Sequence, residues 1–118
     1  MTIEELRIRI DELDRQLVEL LSERARSAQM IGRMKAATSL PVYEPDRERV
    51  VYANVRAANK GPLPDIELTH IYERIIDVMR TLQRDELASM RNAQARHDAP
   101  GHGTGADAKS DAPQIGNN

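Results

Sequence analysis

Apolar residues recur at alternating spacings of three and four from the start of the chain: Ile3, Leu6, Ile10, Leu13, Leu17 and Leu20. That spacing is a heptad-like seam, and it predicts a helix packed along its length against another helix. Thr2 opens the segment, with Glu5 three residues later as in a capping box. No Pro or Gly interrupts it until Gly32, and the helix is predicted from Ile3 to about Ala37. At ~1.5 Å per residue it is about 50 Å long. One short antiparallel neighbour cannot cover that length, so the seam invites a second copy of the chain.

Thr38-Ser39 lowers helix propensity and Pro41 forbids continuation, which leaves a short loop from Thr38 to Tyr43. Pro45 reads as the first residue of a second helix, with Glu44, Asp46 and Glu48 at its positive end. Val50, Val51, Ala53, Val55 and Ala57 give this helix a modest apolar face as far as Asn59 or Lys60, where Gly61 stops it. Gly61-Pro62-Leu63-Pro64 is a tight connection, and Asp65 is a candidate N-cap for a third helix. Leu68, Ile71, Ile75, Val78 and Leu82 form the main stripe of that helix, with Ile76, Met79 and Gln83 on an adjoining line. It is predicted to reach about Arg96, fraying after Met90. From His97 the composition turns to Gly, Asp, Ala, Pro, Ser and Asn, and only Ile115 is strongly apolar. Residues 97–118 cannot bury enough surface to offset chain entropy and are expected to be a disordered tail. Residues 1–96 are expected to be one all-α domain of three helices, long–short–long, completed as an intertwined homodimer.

Composition supports that class. The chain of 118 residues has no Phe, no Trp and three Tyr, so its core is aliphatic, which suits helix-on-helix packing. Net charge is −2, which gives no global basic field for nucleic acid. There is no Cys, hence no disulfide framework and no thiol chemistry. His97 and His102 have no partners at metal-ligand spacing, so no metal is expected. No signal-peptide pattern opens the sequence and no apolar run approaches a membrane span. The expectation is a soluble cytoplasmic protein without membrane contact.

The seam carries one flaw. In the same phase, the position after Leu17 is Arg24, followed by Ile31. A guanidinium there must have an anionic partner or reach water. It either sets helix register, as polar seam residues do in coiled coils, or binds an anion. Lys35 lies eleven residues on and projects from nearly the same face, so two cations ~16 Å apart can lean toward one anion. Arg7 is about 25 Å from Arg24 along the axis and can serve the same kind of site only in a partner chain. Arg47 and Glu48 in the first turn of the second helix read singly as a solvated ion pair, and Glu44 as a cap. Gln83 reads singly as a boundary residue. Together these residues form a polar set with no nucleophile, no acid–base dyad and no Gly-rich phosphate loop. Arg and Lys around a small space suit an organic dianion, because Arg forks match carboxylates. A reaction there would proceed by shaping the substrate and stabilising developing charge.

Four segments carry a resemblance: Leu-Arg-Ile-Arg-Ile-Asp-Glu-Leu-Asp at 6–14, Leu-Leu-Ser-Glu-Arg at 20–24, Ile-Gly-Arg-Met-Lys at 31–35, and Pro-Val-Tyr-Glu-Pro-Asp-Arg-Glu-Arg at 41–49. They resemble the all-helical (type II) chorismate mutases, with Ile75-Ile76 through Gln83 at the expected distance beyond. The resemblance covers about residues 3–92. It implies an intertwined dimer with two shared sites that converts chorismate to prephenate by a Claisen rearrangement, in Phe and Tyr biosynthesis, without metal or cofactor.

By position, the resemblance implies that Arg24 binds a substrate carboxylate and that Arg7 reaches the other protomer's site to bind carboxylate too. Lys35 and Gln83 would contact the ether oxygen whose bond breaks, and Glu48 would accept from the ring hydroxyl. Glu44 stands where the family often has Asp, contributing through its backbone, and Arg47 would support the carboxylate site. Met79 falls where some members have a Ser that helps hold a carboxylate. Two competing readings are an isochorismate–pyruvate lyase of the same fold and a non-catalytic helical regulatory module.

Overall fold

The computed structural model describes residues 1–98. It contains three helices: α1 from Ile3 to Lys35, α2 from Pro45 to Ala58 and α3 from Asp65 to Asp98. The long–short–long, all-α order expected from the sequence is the one observed, and the boundaries differ in instructive ways.

At the start of α1 the capping box forms. The Thr2 hydroxyl accepts from the Glu5 amide at 3.1 Å, and the Glu5 carboxylate accepts from the Thr2 amide at 2.8 Å. The helix closes at Lys35, one to two residues before the expected end. There the amides of Ala36, Ala37 and Thr38 bond carbonyls three residues back, which tightens and unwinds the last turn. Pro45 occupies the first turn of α2, as its fixed φ favours. Glu44 precedes it, but its side chain makes no capping bond. The cap expected of that carboxylate is therefore absent, and the group is engaged elsewhere.

α2 ends at Ala58 because Asn59 turns extended. Its side chain then organises the turn, donating to the Leu63 carbonyl and the Asp65 carboxylate, both at 2.8 Å, and accepting from the Gly61 amide. Gly61 has φ +74°, a left-handed conformation that a side chain would disfavour. Asp65 is not the cap of α3. The Leu68 amide bonds the Pro64 carbonyl at 3.0 Å, so Pro64 takes the cap position and the Asp65 carboxylate holds Asn59. α3 remains helical beyond Met90 and through His97 and Asp98. The rest of the expected tail, residues 99–118, lies outside the described residues.

α3 is the shared element: it packs on α1 most extensively and on α2 over a shorter stretch, while α1 and α2 scarcely touch. The result is a single layer, 72 × 35 × 17 Å. Its core is small, with only Ala28, Ile76 and Met79 buried among apolar side chains of the described residues. The leucine-isoleucine seam of α1 is not what α3 covers. Ile3, Leu6, Ile10, Leu13, Leu17 and Leu20 are all exposed in the single chain. α3 instead sits on the line of Leu21, Ala25, Ala28, Gly32 and Lys35, where small residues let the backbones approach. On α3, likewise, the adjoining line of Ile76 and Met79 is buried, whereas Ile71 and Val78 of the main stripe are exposed.

Candidate active site

α1 passes close against α3 at Gly32. A Cβ there would stand 2.7 Å from the Gln83 carbonyl oxygen and 2.8 Å from its Cα, so only a glycine fits this crossing. Beside it the Arg33 guanidinium donates to the Glu86 carboxylate at 2.8 Å. One turn after Gly32, Lys35 enters the space between the helices and is 4% exposed. Its ammonium donates to Glu44 Oε1 at 2.7 Å, to Gln83 Oε1 at 3.0 Å and, more weakly, to the Val42 carbonyl at 3.5 Å. A buried ammonium needs such partners, because an unpaired one is strongly disfavoured. Glu44 thus gives up capping α2 to neutralise Lys35.

The Lys35 bond also settles the orientation of the Gln83 amide. An ammonium has donors only, so the atom facing it is the amide oxygen, and the amide N–H₂ is turned the other way. Gln83 and Glu44 both line a cavity of about 420 Å³ between the three helices. Lys35 stands in the wall directly behind them, rather than on the cavity surface itself.

Arg24, Arg47, Glu48 and Met79 line the same cavity, so the structure brings together most of the residues singled out in the sequence. Among the described residues, neither Arg24 nor Arg47 makes an ion pair with a protein carboxylate. The solvated pair expected between Arg47 and Glu48 does not form. Met79 is buried and closes one side with an apolar wall, together with Ala28, Ile31, Val51 and Ile76. Arg7 lies elsewhere: it is exposed on the first turns of α1, 3.2 Å from Glu4, and does not line its own chain's cavity.

One residue of the site went unnoticed in the sequence. Arg80 lines the cavity and donates to Glu48 Oε2 through both Nε, at 3.2 Å, and Nη2, at 2.6 Å. Its third contact is Asp77, and its guanidinium carbon lies 5.1 Å from the centre of the Tyr43 ring. The Glu48 hydrogen bond is the main cause that raises the Arg80 pKa above the usual arginine value. Helical spacing held the signal, since Arg80 lies four residues after Ile76 and three before Gln83, on the line that faces the cavity.

The cavity lining is therefore part apolar and part polar. Three guanidinium groups outnumber two carboxylates on its surface, and the Lys35 ammonium stands behind. Among the described residues there is no cluster of His, Cys, Asp and Glu able to hold a metal ion. The arrangement suits a small, partly apolar dianion held by its carboxylates, with an amide donor aimed at a fixed point.

The family model described as chorismate mutase type II matches residues 6–84. A bifunctional chorismate mutase/prephenate dehydratase from Aquifex aeolicus is 37% identical over 86 residues, which cover 70% of this chain but 24% of that protein. The chain thus spans about a quarter of the length of such bifunctional relatives. A chorismate mutase from Methanocaldococcus jannaschii is 28% identical over 89 residues, 75% of this chain and 90% of that one. Among solved structures, a chorismate mutase (form II) from Thermus thermophilus superposes with a TM-score of 0.67 at 37% identity, covering 69% of this chain and 92% of that chain. With the fold, the cavity and the sequence in agreement, this chain belongs to the type II chorismate mutase family.

Proposed function

We propose that the chain is a chorismate mutase that rearranges chorismate to prephenate, in the cytoplasm, as a homodimer whose two active sites each draw on both chains. The observation that carries this reading is the bond of buried Lys35 to Gln83, set against a cavity that Arg24 and Arg47 face without protein counter-ions.

Each residue has a physical task in this reading. The guanidinium of Arg24 forks onto one carboxylate of the substrate, and Arg47 supports the same end. The rearrangement breaks a C–O bond as a C–C bond forms, with negative charge gathering on the ether oxygen. The Gln83 amide, its oxygen tied to Lys35, presents its N–H to that oxygen. Lys35 can release its weak 3.5 Å bond to Val42 and donate there as well. The Gln83 donor is in place before reaction and needs little reorganisation, whereas Lys35 exchanges one protein acceptor for the ether oxygen. Glu48 accepts from the ring hydroxyl, and Glu44 keeps Lys35 positioned. Met79 supplies apolar contact where some family members have a Ser, so carboxylate binding at that end rests on the arginines.

The exposed seam supports the dimer. So does a second, apolar groove of about 260 Å³ between α1 and α3, lined by Val18, Leu21, Ala25, Ile75 and Val78. A twofold axis midway between residues 7 and 24, near Arg15 and Gln16, brings Arg7 of one protomer opposite Arg24 of its partner. Arg7 then supplies the cation for the second carboxylate. Among the described residues, no helix is long and apolar enough to cross a membrane.

The test is chorismate loss followed by absorbance with the purified protein, with isochorismate assayed in parallel for released pyruvate. Prephenate from chorismate is the expected result. Pyruvate from isochorismate with no prephenate would establish a lyase, and no turnover of either would establish a non-catalytic module.

A further inference from the structure

We propose that Arg80 is a positioning residue that acts on the reaction through Glu48, clamping that carboxylate so that one oxygen is presented to the cavity. The terminal torsion of a Glu side chain is broad, so an unclamped carboxylate samples many orientations. Here Arg80 takes a single oxygen, Oε2, with two donors at 3.2 and 2.6 Å. Among the described residues Oε1 accepts no hydrogen bond from the protein and is left to accept one from a ligand. The guanidinium is itself held from two further sides, by Asp77 at 3.1 Å and by the Tyr43 ring at 5.1 Å. Both members of the pair are largely covered, at 23% and 21% exposed.

The pair also joins elements. Glu48 is on α2, Arg80 on α3 and Tyr43 in the loop before α2, so one planar fork sets how these three elements meet beside the cavity. The second consequence is electrostatic. A bare carboxylate in the site of a dianion repels it, and Arg80 offsets that charge while leaving Oε1 able to accept. Lysine could supply the charge but not the two-donor fork.

The test is a double-mutant cycle in the full-length chain with chorismate as substrate. Arg80→Met is expected to lower kcat/KM ~10-fold, the scale of one charge-assisted hydrogen bond. In the Glu48→Gln background the same change is expected to cost less than about twofold, because its target has gone. Equal losses in both backgrounds would overturn the proposal, since Arg80 would then act on the fold or on the substrate directly. A wild-type value for Arg80→Met would overturn it too. Should Arg80→Met not fold, Arg80→Lys carries the same cycle, keeping the charge and removing the fork. The inference rests on the mutase reading, and the two fail differently. No chorismate turnover by the wild type sinks that reading, whereas wild-type turnover with additive losses sinks only the role of Arg80.

Discussion

The two halves of α1 are built on opposite principles. Residues 21–35 face α3 through Ala25, Ala28 and Gly32, side chains that contribute little area but allow close contact. Residues 3–20 carry the large aliphatic residues, and in the single chain these are exposed. The half with the weaker apolar signal is the one that packs and holds the site. In the proposed dimer, the half with the conspicuous seam has its use outside the protomer. Small residues mark where backbones must meet to place polar groups, and large ones mark where area must be buried against something else.

Placing charge on the bare half is expected to give the largest effect. If the proposed function holds, Leu13→Glu with Leu17→Glu should turn the dimer into a monomer in sedimentation and reduce chorismate turnover to background, because each proposed site would lose the partner's Arg7. A fully active monomer would break the comparison. On the packed half, Lys35→Ala is expected to lower kcat by ~10²–10³, the scale of losing one preorganised donor at a developing charge. Unchanged dimer mass and helix content would confine that loss to the chemistry, and near-normal kcat would remove Lys35 from the mechanism.

Gly32→Ala is a milder assault on the same half. The added methyl must push Gln83 away, at a cost of ~1–3 kcal/mol in denaturant unfolding. We expect kcat to fall more than KM rises, because the Lys35–Gln83 geometry is disturbed while Arg24 stays in place. The smallest effect belongs to the tip of the bare half. Thr2→Ala removes one cap bond and should cost ~1 kcal/mol of stability with no change in kcat.

Much of this architecture was legible because single residues force it. Pro41, Pro45 and Gly61 punctuate three helices, and the Thr2–Glu5 box starts the first as written. The polar set of Arg24, Glu44, Arg47, Glu48 and Gln83 converges on one cavity with the apolar Met79, and Lys35 stands behind it. What was not legible depended on choices between competing partners. Glu44 has an open helix terminus on one side and a buried ammonium on the other, and the desolvated charge wins. Glu48 has Arg47 next to it in sequence, but adjacent helical residues point apart, and Arg80 from α3 takes it. Asp65 loses the cap position to Pro64 because Asn59 claims its carboxylate. The stripe expected to be the core of α3 is half exposed for the same reason as the seam on α1: hydrophobic spacing names a face to be covered, but not which chain covers it.

The shared site is tested most directly by mixing two variants that are each inactive, Arg7→Ala and Arg24→Ala, and following chorismate loss after verified subunit exchange. Complementation should restore about one working site per heterodimer, since one intact Arg7 meets one intact Arg24 across the twofold axis. An exchanged mixture as inactive as its parents would contradict a site built from two chains.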